Sequence, residues 1–213
     1  MTEKKAGKKA KTSAPGTLFV ISAPSGAGKS TLCSMLLKKN KNVKLSVSYT
    51  TRAPRKGEVD GVHYSFISET KFKGMIKRGE FAEWATVHGN MYGTSLKELK
   101  KLNREGYDIL LDIDTNGARQ IRKSYANAVY IFILPPSMQA LRKRLVNRKT
   151  DSGASITKRL ENAREEITRC VDYDYIVVND KLERAYEDFE SIFRTLRLRS
   201  EKADNKLIDN FLK

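Results

Sequence analysis

The chain has 213 residues, 39% of them hydrophobic, enough for one α/β domain with insertions and too few for two full domains. Its formal net charge of +16 favours anionic partners: nucleic acid, a membrane surface or acidic small molecules. No stretch has the apolar length of a membrane span or the apolar core of a secretory signal, so the expectation is a cytoplasmic protein. Part of the charge lies in Lys4, Lys5, Lys8, Lys9 and Lys11, set among Ala, Gly, Thr, Ser and Pro. That composition predicts a disordered basic tail over 1–16, ahead of one domain over 17–213.

The first element is the apolar run Thr17–Ser22, followed by Ala23-Pro24-Ser25-Gly26-Ala27-Gly28-Lys29-Ser30-Thr31 and a helical pattern from Lys29. Glycines between a strand and a helix let backbone N–H groups converge without Cβ atoms in the way, and the helix start adds partial positive charge. The result is a socket for phosphate, in which Lys29 reaches the outer phosphates of a nucleotide and Ser30 is placed for Mg2+. Ala23 stands where the phosphate-loop pattern asks for Gly.

Strand-like pieces and turn signals then run from about Val43 to Ser95, with one helix near 69–78. This predicts a β-rich insertion over 47–95. Within it, Pro54 disfavours helix, so Arg52 and Arg55 share a loop where both could grip one anion through their planar forks. Ordinary surface arginines would look the same. If 81–87 is extended, Phe81, Glu83, Ala85 and Val87 share a face, which sets a carboxylate among apolar side chains. A buried Glu83 needs donors, and a guanine edge offers two adjacent ones where adenine offers no such pair. A Glu turned to water on an edge strand satisfies the same alternation.

Asp112 and Asp114 close the run Ile109-Leu110-Leu111, at the strand end where α/β proteins hold ligands. They could orient the water shell of Mg2+ or a substrate hydroxyl; a helix cap is the alternative for Asp114. Further strands are read at Asp108–Ile113, Val129–Leu134 and Tyr175–Val178, each followed by a helical pattern. The rhythm predicts a parallel sheet of about five strands flanked by helices. Two helical patterns over 137–170, rich in arginine and joined by Lys149–Gly153, read as a helical lid. The stripe Leu182, Ala185, Tyr186, Phe189, Ile192, Phe193, Leu196 is core. Cys33 and Cys170 are far apart and His63 and His88 form no cluster, so none is read as a metal ligand or nucleophile.

Taken together, "SAPSGAGKST", "SVSYTTRAPRKGEVDGVHYSF", "GEFAEWATVHGNMYGTS", "ILLDIDTNGA", "LRKRLVNRKTDS", "ITKRLENAREE" and "YDYIVVND" resemble guanylate kinases, in order, from Thr17 to about Arg199. The resemblance implies a P-loop NTPase-like fold and phosphoryl transfer from ATP to GMP, and to dGMP, with Mg2+ as cofactor. It implies that Arg52, Arg55, Tyr64 and Tyr92 take the GMP phosphate, and Ser48, Glu83 and Thr94 the base, with Asp112 and Asp114 matching the family's acidic pair. Ser25 to Thr31 would hold ATP, with Asn179 near its adenine, Ser30 on Mg2+ and Asp112 reaching the metal through water. Arg144, Arg148 and Arg159 would be lid arginines on the phosphates, joining Lys29 and Arg52 in catalysis. Thr115-Asn116 departs from the family, where an aromatic residue or Met followed by Gln is frequent. Three competitors stand beside this reading: a non-catalytic phosphopeptide-binding module of the same fold, a kinase for another nucleoside monophosphate, and a nucleic-acid-binding protein. The intact Gly28-Lys29-Ser30 argues against the first, Glu83 and Ser48 against the second, and the lack of a stacking platform or recognition helix against the third.

Overall fold

The computed structural model describes residues 15–87, 89–147, 153–203 and 209–212. Most of the tail expected at 1–16, His88, Arg148 and most of the Lys149–Gly153 connection lie outside the described residues.

Five parallel strands form the main sheet: β1 (Leu18–Ser22), β2 (Val43–Leu45), β7 (Asp108–Asp112), β8 (Val129–Leu134) and β9 (Tyr175–Val178), in the order β2-β7-β1-β8-β9. Both faces are covered, which explains why these strands read as continuous apolar runs rather than alternating ones. Successive side chains enter opposite cores. Phe19, Ile21, Leu110 and Ile131 face α1 (Lys29–Lys39) and α7 (Leu182–Arg197), where Phe19 stacks on Phe193 with ring centroids 3.9 Å apart. Val20, Ile109, Leu111 and Tyr130 face α3 (Leu96–Arg104) and α4 (Thr115–Ser124). The stripe foreseen on α7 is buried from Ala185 to Leu196.

A second, four-stranded sheet has the order β4-β3-β6-β5 and is built from β3 (Tyr49–Thr50), β4 (Ser65–Phe66), β5 (Phe81–Val87) and β6 (Asn90–Ser95). Beside it, α2 (Glu69–Lys77) starts at Ser68, whose hydroxyl accepts from the Lys71 N–H. The sheet meets α4 through Gln120, which donates to the Trp84 carbonyl at 2.8 Å and accepts from the Trp84 N–H at 3.3 Å.

Strand β5 departs from simple alternation. Its register against β6 shifts between Phe81, opposite Ser95, and Glu83, opposite Thr94. The extra residue, Ala82, turns Phe81 to the face away from Glu83. Phe81 stacks on Phe72 of α2 at 4.5 Å, and both rings crowd Gly93, where a Cβ would lie 2.9 Å from Phe81. The expectation that Phe81 and Glu83 share a face is therefore corrected: the bulge leaves Phe81 to a small aromatic core and Glu83 to the opposite side.

The segment between β8 and β9 forms α5 (Met138–Asn147) and α6 (Gly153–Thr168), packed through Leu141, Leu145 and Ala163.

Candidate active site

The chain leaves β1, the central strand, at its C-terminal end, where it turns through Ala23–Gly28 into α1. Strand order reverses beside β1, a position where open α/β sheets leave a crevice. Gly26 and Gly28 both have φ +97°, a left-handed conformation that a Cβ would strain. No side chain caps α1 and its first turn carries no acid, so its N–H groups and dipole stay open to an anion.

The loop is braced from behind. Asn179, buried after β9, donates to the Ala27 carbonyl at 2.7 Å. Arg144 of α5 donates to the carbonyls of Asn179 at 2.7 Å and Ala27 at 3.3 Å. Leu141 and Leu145 close under Gly26, where a Cβ would come 3.0 Å from Leu145. Two residues that the resemblance ties to ligand, Arg144 and Asn179, thus hold the phosphate loop itself in this structure.

Lys29 forms an ion pair with Asp112 at the end of β7 and donates to the Ile113 carbonyl at 3.2 Å. Burial acts to lower its pKa, but the Asp112 carboxylate outweighs burial and the net shift is upward, so Lys29 is a cation. Asp114 caps α4 by accepting from the Gly117 N–H at 2.7 Å, the alternative left open for it above. Its position still lines the same cavity as Lys29.

That cavity, about 320 Å3, gathers residues from four regions, the last being α6 through Glu166. It is lined by Ser25, Gly26, Gly28, Lys29, Ser30 and Thr31 of the loop, by Asp112 and Asp114 after β7, and by Tyr64, just before β4, and Tyr92 of β6. Ala27 is fully buried within the loop. Arg159 reaches the same place from α6, 3.3 Å from the Ser25 hydroxyl. Arg52 lies beyond Tyr64, its guanidinium 5.4 Å from the ring centroid and 2.8 Å from Glu58. The Glu58 hydrogen bond is the main reason its pKa rises. Arg55 is exposed in the same loop, with its N–H 2.6 Å from Glu58.

On the second sheet Glu83 is 4% exposed, so the choice between buried and solvent-facing Glu83 is decided for burial. Thr94 donates to it at 2.6 Å, and its other oxygen abuts Gly117, where a Cβ would sit 2.6 Å away. Gly117 is what lets the carboxylate approach α4. Burial pushes the Glu83 carboxyl up to about 7; the Thr94 hydrogen bond opposes this, and the nearby Asp114 charge reinforces it. Ser48 precedes β3, half-buried, and its carbonyl accepts from the Ser65 N–H. Glu83, Thr94, Ser48, Arg52 and Arg55 do not line the cavity beneath the phosphate loop; they continue from it along the second sheet.

Glu166 of α6 lines the cavity and was not singled out in the sequence. Burial pushes its carboxyl up to about 7, against the opposing charge of Lys29. The available signal was slight: it adjoins the stripe Ile156, Leu160, Ala163 that packs α6 on α5. Cys33 is buried in the core and Cys170 half-buried, and among the described residues no group of His, Cys, Asp and Glu could by itself enclose a metal.

The guanylate kinase family model matches residues 16–196. A guanylate kinase of Methylobacillus flagellatus is 52% identical over 187 residues, covering 88% of this chain and 93% of that protein. One of Chromobacterium violaceum is 50% identical over 196 residues, covering 92% and 93%. The crystal structure of guanylate kinase from Anaplasma phagocytophilum superposes with a TM-score of 0.74 at 34% identity, covering 91% of this chain and 92% of that one. With a braced phosphate loop, a cationic Lys29 beneath it and a buried Glu83 on the second sheet, and with matches of this extent, the chain belongs to the guanylate kinase family.

Proposed function

We infer that this protein is an ATP:GMP phosphotransferase that moves the γ-phosphoryl group of ATP to GMP, giving ADP and GDP, and that it accepts dGMP as well. The observation that carries the substrate assignment is Glu83. Its carboxylate is buried with a single residue, Thr94, donating to it through hydroxyl and N–H, and leaving its remaining lone pairs unmet costs on the order of a few kcal/mol unless further donors arrive. Guanine N1–H and its amino group supply two.

In this reading the 47–95 insertion carries GMP and the 137–170 segment closes over the main domain. The base is held by Glu83, Thr94 and Ser48, while Arg52, Arg55, Tyr64 and Tyr92 take the monophosphate, Arg52 exchanging its Glu58 partner for substrate. Ser25 to Thr31 cradle the ATP phosphates, and Asn179 and Arg144 keep that cradle in shape. Lys29, held between Asp112 and Ile113, and Arg159 and Arg148 from the lid neutralise charge as it spreads over the transferring group.

The attacking oxygen of GMP is already anionic at neutral pH, so alignment and charge neutralisation suffice without a general base. Closure of the lid excludes water that would otherwise take the phosphoryl group.

The donor set suits Mg2+: the Ser30 hydroxyl and the Asp112 carboxylate are hard oxygens on the same cavity, too few to enclose a metal alone. Magnesium normally completes its shell with water and substrate phosphates. Ser30 would hold it, with Asp112 through water, and the ion would supply further neutralisation of the phosphate oxygens.

Among the described residues no helix is long and apolar enough to cross a membrane. The same reading expects free nucleotides as substrates, a cytoplasmic setting and no nucleic-acid partner. It is tested by ADP release with ATP, Mg2+ and each of GMP, dGMP, AMP, CMP and UMP. GMP and dGMP are expected to turn over; comparable rates with AMP would overturn the assignment.

A further inference from the structure

A second cavity, of about 520 Å3, lies between α4 and the segment that follows α6. It is not part of the crevice already described: Gly117 of α4 meets Glu83, whereas Thr115, Ala118, Arg119 and Arg122 line this other space. Three arginines surround it, Arg119, Arg122 and Arg169, against a single lining acid, Asp172.

Two of these guanidinium groups are fixed in place. Arg169 donates through Nη1 to both the Thr115 hydroxyl, at 3.0 Å, and the Asn116 side-chain carbonyl, at 2.6 Å. Its Nε and Nη2 have no acceptor among the described residues. Arg122 lies over the Tyr130 ring at 3.6 Å, donates to the Asp172 carbonyl at 2.6 Å, and stands 3.9 Å from Asp174. Arg119 is exposed and has no partner among the described residues.

The placement of Arg169 is electrostatically odd. Asp114 already caps the start of α4, so what distinguishes Arg169 is that its direct partners there, Thr115 and Asn116, are neutral. Glu166, one turn earlier on α6, feels its charge but forms no ion pair with it. An anion in the cavity would answer the three guanidinium groups that line it. Arginine forks match phosphate oxygens bidentately, and forks already anchored lose little freedom on binding. The volume falls in the range of small-molecule sites and exceeds what bare phosphate fills.

We propose that the cavity between α4 and Arg169–Tyr173 is a second anion site, separate from the phosphate loop, that takes the phosphate group of a phosphorylated small molecule on Arg119, Arg122 and Arg169. Thr115-Asn116, where the chain departs from its family, thereby acquires a role: it orients Arg169. Because Arg169 follows α6 directly, occupancy of this site fastens the base of the lid to α4.

The test is calorimetric titration of the full chain with inorganic pyrophosphate and, separately, ribose 5-phosphate, in a Lys29→Ala background that weakens the phosphate loop. At least one probe is expected to bind, the tighter of them telling bare phosphate from sugar-linked phosphate. Adding Arg119→Glu is expected to weaken it tenfold or more, while Arg104→Glu, an equal charge reversal on exposed α3, changes it less than twofold. Arg119→Glu alone keeps the KM values for ATP and GMP. Absence of binding by either probe in the Lys29→Ala background, no effect of Arg119→Glu, or an equal effect of Arg104→Glu would each overturn the proposal. None of these results bears on ADP release, so the transferase reading stands or falls separately.

Discussion

The two halves of the crevice are held in different ways. The phosphate loop is fixed by backbone: left-handed Gly26 and Gly28, with Asn179 and Arg144 gripping the Ala27 carbonyl and two leucines beneath. The base pocket on the second sheet is held by side chains in strained electrostatic company, with Glu83 buried on one partner residue, Thr94, and close to Asp114. If the loop holds ATP and the pocket a base, as proposed, a loop preorganised by its backbone loses little on binding, whereas the pocket gains further donors only when the correct base arrives. In the proposed reading, affinity is stored in the first region and discrimination in the second.

Breaking the loop's charge should have the largest effect. Lys29→Ala is expected to slow ADP formation by roughly a hundredfold to a thousandfold, since the proposed mechanism sets its charge against the transferring group. A near-normal rate would separate Lys29 from the chemistry.

The next contrast is in stability. The folded chain raises the Glu83 carboxyl from about 4.5 to about 7. Below 4.5 both folded and unfolded states hold the proton, and burial imposes no penalty. Between these values the unfolded chain releases its proton and the folded chain keeps it, so stability falls as pH rises and levels off above 7. The shift corresponds to about 3 kcal/mol at roughly 1.4 kcal/mol per unit. Urea unfolding at pH 4.5 and pH 8 should show a larger loss in the wild type than in Glu83→Gln, which keeps the share due to Glu166. Equal slopes in the two proteins would contradict the burial of the charge.

The same variant sharpens the specificity half. Glu83→Gln keeps the shape but exchanges a double acceptor for a group with only one acceptor, and should reduce the preference for GMP over AMP by roughly ten- to a hundredfold, about 1–3 kcal/mol. In the wild type, KM for GMP should fall as pH rises through about 7, because the proposed base contact pairs guanine donors with the ionised carboxylate. Smallest is Gly28→Ala: its Cβ would lie 2.2 Å from the Asn179 amide on a left-handed backbone, and KM for ATP should rise about tenfold while GMP binding is kept. If Asn179→Ala restored ATP binding to Gly28→Ala, steric contact rather than backbone strain would be the cause.

Much of the phosphate loop was legible in the chain because its demands are local. A strand, two glycines, Lys-Ser and the start of a helix occur between Leu18 and Thr31, and the geometry follows from backbone sterics and helix polarity. The base pocket was only half legible. Alternation placed Glu83 on one face of an extended segment but could not say whether that face was covered, because the cover is α4, more than thirty residues away. It also misassigned Phe81, since the extra residue in β5 carries no signal in the sequence that a regular strand would lack.

The sequence by itself determined the parallel sheet, the phosphate loop and the order of segments around it, because each rests on the period and turn chemistry of neighbouring residues. Only the tertiary structure decided that Glu83 is buried, that Asn179 and Arg144 brace the loop and that Glu166 enters the crevice. Those are contacts between distant segments, and desolvation and charge act through space rather than along the chain.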